Sequence, residues 1–580
     1  MRSQSPDEEQ TTPTTRLVGD LAVPFNLHPV RVEGIGLLTG LRGTGSDPRP
    51  SPQRAALVAD MQARGVESPN TLLASRNTTM VLVRAYLRPG IQEGDRFDVE
   101  VRVPTQSETT SIRGGYLLET RLQEFAVMED AKIHSGHLLG WAEGPVMVDP
   151  AASQKKDSVL LGRGTILGGG RCKKSRPLGL VLTPSGKSVL NAARIETAIN
   201  KRFHMFQRGL KRGVAEAHTD QYVELAVHPR YKDNIQRYVQ VVRAVPLRET
   251  ESELMDRLAV LEKRLLDPIT SAKAALELEA IGSQGNEVLR KGLQSADLEV
   301  RFYAAEALAY LDQPDAVEVL ARTAREQPAF RVFALTALSA MDNFSAYEEL
   351  RNLLHVPSAE TRYGAFRALW AMNPNDSLVL GENLGGEFSY HVLNTQGPPM
   401  IHVTRSRRPE VVLFGPDQRL EGVVAIEAGN QIMVTSNRPG EVAVSRFAVG
   451  EADQKRIVTD RIDDVIRAIV ELGGTYPDVV QALQEAKAAG ALAGRFEVDA
   501  LPQAGRTYQR VAAARAETEG EEGPKPATSP MPDLFGKAEG GTLSQSEGAD
   551  DEVAQIAPDS IERPRPIRNF FARMAGRDTE

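Results

Sequence analysis

Cysteine is nearly absent from this 580-residue chain. Only Cys172 is present, so no internal disulfide can form and cysteine usage is silent on compartment. Arg171, Lys173 and Lys174 beside it would lower its pKa at an exposed position, but no base accompanies it, and the thiol reads as incidental. Positive charge is in deficit too. The formal net charge of -8 argues against bulk nucleic-acid binding, which needs a basic face, though a local basic patch remains compatible with it. Aromatic residues are only 5% of the chain, which disfavours flat stacking platforms for sugars. No apolar run approaches the ~18 residues of a membrane span. Residues 1–15 are polar, carry Asp7, Glu8 and Glu9, and lack the apolar stretch of a secretory signal.

What the chain does have is material for several packed cores, with 41% hydrophobic residues. At roughly 100–200 residues per domain, three or four units are expected. Residues 1–15 read as a disordered leader, and 16–248 as a mixed, β-rich region. There, Thr79–Leu87 and Phe97–Val103 alternate as strands do. Pro52–Gly65 places Leu57, Val58 and Met61 at helical spacing, with Gly65 as the stop. Ser188–Phe203 predicts a second helix with Leu190, Ile195, Ala198 and Ile199 on one face.

From about 250 to 375 the texture becomes helical and repetitive. Ala274–Leu278, Ala304–Leu308, Ala334–Leu338 and Ala365–Leu369 align about 30 residues apart. The last three are each entered by an arginine: Arg301, Arg331 and Arg362. A fixed period of this length marks stacked helix pairs, and the pattern resembles short HEAT-type repeats. Residues 376–505 return to β-rich runs, Val411–Phe414, Gly422–Ile426 and Gln431–Thr435. Ile462–Leu492 then reads as helix in two pieces around Gly473-Gly474. Residues 514–580 are rich in Glu, Gly, Pro and Ser and read as a disordered acidic tail. The basic, aromatic end Arg563–Phe571 reads as plain tail or as a short docking motif.

A search for chemistry returns little. Pro184-Ser185-Gly186-Lys187-Ser188 ends like a P-loop, but position 181 is Val181 rather than the first glycine. Gly186 therefore reads as a turn and Ser188 as a helix N-cap. His134 and His137 have Gly136 between them, which suggests a turn, and no further ligand accompanies them. No nucleophile has an evident base and orienter, so no catalytic residue, cofactor site or metal site is expected.

The most informative stretch is Gly34-Ile35-Gly36-Leu37-Leu38-Thr39-Gly40-Leu41-Arg42-Gly43-Thr44-Gly45-Ser46-Asp47. It resembles the opening signature of the bacterial flagellar basal-body P-ring protein family, with Ser46 interposed before Asp47. Ile112-Arg113-Gly114-Gly115-Tyr116-Leu117-Leu118 is similar to that family's Arg-Gly-Gly motif, and Ala193–Phe203 to one of its helices. The likeness resumes over about 420–500, in Ile462–Ala468 and Leu483–Ala493. The fold class that follows is α+β and multidomain: a β-rich P-ring-like region interrupted by an α-solenoid, HEAT-like insertion. The family-motif residues are Gly34, Gly36, Gly40, Gly43, Thr44, Gly45, Asp47, Arg113, Gly114 and Gly115. Their glycines suit close backbone approach, either between neighbouring subunits or within turns between strands.

The resemblance implies a non-enzymatic structural subunit that closes into a homo-oligomeric ring around the flagellar rod in the periplasm, for motility. The implied partners are the rod, the outer-membrane ring proteins and peptidoglycan, with an unknown protein for the repeats and no nucleic acid. A misassigned start or a removed leader would reconcile this with the first residues. Three other readings stand beside it. They are a cytosolic or envelope scaffold using the repeats as an adaptor, a helical-repeat lyase, and a cell-wall polysaccharide binder.

Overall fold

The computed structural model describes residues 15–127, 133–149, 158–207, 209–406, 408–448, 450–508 and 529–535. Residues 1–14 of the expected leader and nearly all of the expected acidic tail, including Arg563–Phe571, lie outside the described residues.

Six strands close into a barrel: Val30–Thr39, Thr79–Leu87, Arg96–Arg102, Arg163–Cys172, Ile133–Pro145 and Tyr116–Val127, in that order around the ring. Alternation drives the closure. Val81, Val83, Ala85 and Leu87 on one strand and Phe97, Val99 and Val101 on the next point inward. Helix Pro52–Ala63, capped by Ser51, packs Leu57 and Met61 against Leu37, Leu73 and Met80 on the barrel's outside. A four-stranded antiparallel sheet lies beside the barrel: Ala22–Phe25, Leu178–Leu182, Tyr222–Leu225 and Ala215–Ala217. Helices Val189–Arg202 and Ile235–Arg243 contribute to the same core. In the first of these, Ile195 and Ile199 are buried, but Leu190 is exposed, contrary to the predicted face. Leu190 stands two residues past the Ser188 cap, in the first turn, before the helix has reached the sheet.

Eight helices follow: Glu251–Leu265, Ser271–Ile281, Asn286–Leu293, Leu298–Tyr310, Val317–Glu326, Arg331–Ser339, Phe344–Leu353 and Ala359–Met372. Each of the four aligned Ala/Leu segments falls in one helix of a pair, and these helices form an inner layer. All nine residues of Arg331–Ser339 and eleven of the thirteen in Leu298–Tyr310 are buried. The repeated arginines have a shared physical role. Arg301 donates to the Ser295 carbonyl at 2.7 Å, Arg331 to Ala324 at 2.9 Å and Arg362 to Leu354 at 3.0 Å. Each guanidinium thus satisfies a carbonyl left open where the preceding outer helix ends.

Beyond the repeats, a mixed sheet orders Glu382–Leu384, Phe388–Leu393, Glu410–Phe414, Met400–Val403 and Arg495–Val498. A four-stranded meander runs Ala425–Ala428, Ile432–Arg438, Glu441–Arg446 and Gln454–Thr459. Helices Ile462–Glu471 and Tyr476–Ala488, split by Gly473-Gly474 as expected, share one core with both sheets. Val423, expected within a strand, stands 95% exposed ahead of Ala425–Ala428, because Gly422 adopts a left-handed φ of 77° and delays the pairing. Among the described residues no helix is long and apolar enough to cross a membrane.

Candidate functional site: the glycine-lined barrel seam

The family-motif residues converge on the seam where strand Val30–Thr39 meets strand Tyr116–Val127 and closes the barrel. Pairing along this seam is Val32 with Glu124 and Glu33 with Gln123, then Leu38 with Leu117 after a register shift. Gly34 and Gly36 lie within that shift. A Cβ on Gly34 would sit 2.3 Å from the Arg121 carbonyl oxygen, and one on Gly36 would sit 2.4 Å from Thr120 Oγ1. Hydrogen is the only side chain that fits the crossing.

The chain then leaves the barrel, and the remaining motif residues knit its rim. Gly40 and Gly43 take left-handed φ values of 79° and 72°. Gly43 N–H donates to Asn77 Oδ1 at 3.2 Å and Gly45 N–H to the Arg76 carbonyl at 2.8 Å. A Cβ on Gly45 would stand 2.2 Å from the Thr78 carbonyl oxygen. Thr44 Oγ1 donates to the Ser111 carbonyl at 2.8 Å, which ties the first motif block to the second. Asp47 pairs with Arg54 at 3.2 Å on the neighbouring helix. Ser46, the interposed residue, shares hydrogen bonds with Ser107 at 3.2 Å and Thr109 at 3.0 Å.

The second block faces the C-terminal sheets. Gly114, at φ 71°, is crowded by Asn430: a Cβ there would meet Nδ2 at 2.2 Å. Gly115 packs under Leu41. Arg113 donates to the Asp149 carbonyl at 3.1 Å, and the Asp149 carboxylate holds Arg405 at 2.7 Å. All ten motif residues therefore fall in one seam and its rim. Every close approach just described is between residues of the one chain.

The remaining sequence candidates do not join this site. Cys172 is buried in the barrel core, desolvation pushes its pKa up, and its Sγ contacts the Lys174 carbonyl at 3.2 Å. Its basic neighbours do not activate it. His134 and His137 lie in strand Ile133–Pro145, not in a turn. Gly136 there serves a close approach, 2.8 Å from a built Cβ to the Glu124 carbonyl oxygen. Ser188 caps its helix by accepting from Leu190 N–H, as expected. Among the described residues, no three His, Cys, Asp or Glu side chains converge in a metal-binding geometry.

Sequence reasoning missed two buried polar networks. In the first, Arg237 bridges Glu279 at 2.6 Å and Glu306 at 2.7 Å, and Tyr231 donates to Glu279 at 2.7 Å. Burial alone would lower the Arg237 pKa, but the two carboxylates hold it above its ordinary value. In the second, Glu410 accepts from Arg367 at 2.8 Å and from Tyr363 at 2.6 Å. Burial would raise the Glu410 pKa, but Arg367 and then Arg408 outweigh it and hold the group at about 2. His402 stacks on Tyr363 with ring centroids 3.7 Å apart, and burial lowers its pKa to about 3. Both networks bolt the repeats to their neighbours and include no exposed nucleophile.

The fold is thus a closed β-barrel with a glycine-sealed seam, joined to an array of stacked helix pairs. The comparisons make this particular. Residues 18–263 match the flagellar P-ring protein family, and residues 258–334 match HEAT repeats. The chain is 28% identical over 262 residues to the flagellar P-ring protein of Thermotoga maritima, covering 43% of this chain and 71% of that one. It is 32% identical over 200 residues to the flagellar P-ring protein of Nitrosospira multiformis, covering 32% of this chain and 50% of that one. It is 38% identical over 109 residues to that of Rhizobium etli, 18% of this chain and 29% of that one. The resemblance read from Gly34–Asp47 and Arg113–Gly115 agrees with these matches: residues 18–263 are similar to flagellar P-ring proteins, and residues 258–334 to HEAT repeats.

Proposed function

We propose that the chain is a structural, non-enzymatic subunit of a flagellar P ring, closing with copies of itself around the rod in the periplasm. The observation that carries this reading is the family match over residues 18–263, which includes the whole barrel and its glycine seam. A ring needs a head-to-tail interface between two different faces of a rigid subunit. The seam supplies rigidity: its glycines remove slack where the barrel closes, and Arg113 and Asp149 fasten it to the C-terminal sheets. On this reading residues 16–248 and 376–505 form the ring body, and 250–375 is an inserted helical array on it. The rod, an outer-membrane ring and peptidoglycan would be the neighbours.

The test is to fractionate cells and image basal bodies labelled with an antibody to residues 250–374. The expected result is protein in the envelope fraction and label on a ring around the rod. A soluble cytosolic monomer without basal-body label would overturn the proposal and leave an adaptor role for the repeats.

A further inference from the structure

The inner face of the repeats is roofed by the chain's own C-terminal residues. Two segments contribute. The first continues directly from strand Arg495–Val498: Tyr508 stacks edge-on against Phe330 at 4.9 Å, and Arg506 bridges Glu360 at 2.5 Å. The second, Ser529–Phe535, has no strand or helix and returns after 20 intervening residues to the junction of the β-rich region, the repeats and the mixed sheet.

Its contacts have the character of a bound peptide. The Asp533 carboxylate accepts from Ile235 N–H at 3.1 Å, at the N-terminus of helix Ile235–Arg243. That helix end presents the Ile235 N–H, which has no partner within the helix, and a partial positive charge to the carboxylate. Asp533 N–H donates to the Asp233 carbonyl at 2.7 Å. Asn234, which caps the helix through Oδ1, uses Nδ2 to reach the Pro530 carbonyl at 3.5 Å. Arg408, from the mixed sheet, donates to the Leu534 carbonyl at 3.4 Å. Ser529 donates to Glu306 at 2.7 Å, the same carboxylate that Arg237 holds. Leu534 and Phe535 are each only 4% exposed and join the large core.

We propose that this junction is a peptide-docking site and that Ser529–Phe535 is its resident ligand, a reversible latch for the C-terminal residues. The recognised chemistry is a carboxylate followed by two large apolar side chains: the acid reads the helix N-terminus, and the apolar pair fills the core. Backbone carbonyl contacts from Asn234 and Arg408 set the register. Two buried side chains and a few hydrogen bonds are a peptide-sized set, able to separate without unfolding the host. The latch stands on these contacts alone and is independent of the ring reading.

The experiment uses the full chain and a fluorescein-labelled peptide of residues 527–537, read by anisotropy. The Leu534→Ala/Phe535→Ala protein, with its own latch disabled, is expected to bind the peptide at least ten-fold more tightly than the wild-type protein. A peptide carrying the same two substitutions is expected not to bind. Equal binding by the two proteins, or no binding by a variant with wild-type circular dichroism, would overturn the proposal. Should the variant fail to fold, a second arm uses the wild-type latch with a protease site inserted between residues 509 and 528. After cleavage the C-terminal fragment is expected to co-elute with the body and to be displaced by excess peptide. A fragment that separates unaided at micromolar concentration, or that no excess of peptide displaces, would sink the latch.

Discussion

At Gly36 a methyl group has no room: Thr120 Oγ1 and Leu117 Cδ1 would lie 2.4 and 2.7 Å from it. At Gly43 nothing lies within 4 Å, and only the φ of 72° disfavours a side chain. Gly36→Ala should therefore destabilise by about 1–3 kcal/mol through overpacking, and Gly43→Ala by only about 1 kcal/mol through backbone strain. Urea denaturation of both variants checks the order; a Gly43 effect larger than that of Gly36 would contradict the seam argument. Glu410 poses the opposite problem, because its removal strands Arg367 at 2% exposure. Glu410→Gln should cost about 3–5 kcal/mol. Two buried histidines, His402 beside Glu410 and His228 beside Tyr231, set a pH dependence whose sign follows from their lowered pKa values. His402 and His228, held to about 3 and about 4 by burial, stay neutral in the folded chain at pH values where the unfolded chain binds protons at its ordinary value of 6.5. Stability is thus full above pH 6.5 and falls below it, by about 1.4 kcal/mol per pH unit for each such proton. Below the ordinary carboxylate value of 4.5, Glu410 adds to the loss as pH falls toward 2. Urea midpoints between pH 8 and pH 4 should show this slope, and His402→Leu should flatten it; a constant midpoint from pH 8 to pH 5 would refute the account.

Among whole elements, the arginine in the first turn of three of the four inner repeat helices is a recurring device. Arg331 donates to two carbonyls of the preceding helix, Ala324 at 2.9 Å and Arg325 at 3.4 Å, and pairs with Glu360 at 2.9 Å. Arg331→Met keeps the apolar stem and removes the charged hydrogen bonds, so a loss of about 1.5–3 kcal/mol is expected. Thermal unfolding measures it, and an unchanged midpoint would show that the repeated arginine is idle. This device was legible in the sequence because residue type, spacing and register recur together, as were helix Pro52–Ala63 and strand Thr79–Leu87 with their single clear periods. The closing contact of the barrel was not. It pairs residues near 35 with residues near 120 across a register shift, and no local pattern encodes that partner. Glycines at the shift read equally well as turns. Ser529–Phe535 was hidden for a related reason. Its flanks are rich in Glu, Gly and Pro, and the composition outweighs one Asp-Leu-Phe run whose Asp533 finds its partner, Ile235, 298 residues away.

Across the whole molecule, the repeats are not a free-standing rod with an open inner face. One continuous apolar core runs from Val18 and Leu21, through Tyr231 and Tyr238, along the inner repeat helices, to Leu501, Leu534 and Phe535. The ends of the N-terminal region meet at the same place: Val18 N–H donates to the Val245 carbonyl at 2.9 Å and Leu247 N–H to Arg16 at 3.0 Å. Arg237 and Glu410, from outside the array, complete ion pairs with Glu279, Glu306 and Arg367 inside it. An excised array of residues 250–374 would expose the inner helices and strand those charges. Repeats of this kind need capping surfaces at their ends, and here the rest of the chain also covers the flank. The excised array should therefore bind a hydrophobic dye strongly, self-associate and melt over a broad range, whereas the full chain melts cooperatively with little dye bound. Dye fluorescence and calorimetry on both proteins decide the matter. A monomeric excised array with a sharp transition would mean that the repeats fold by themselves, and that the covering segments sit on a surface built to stand without them.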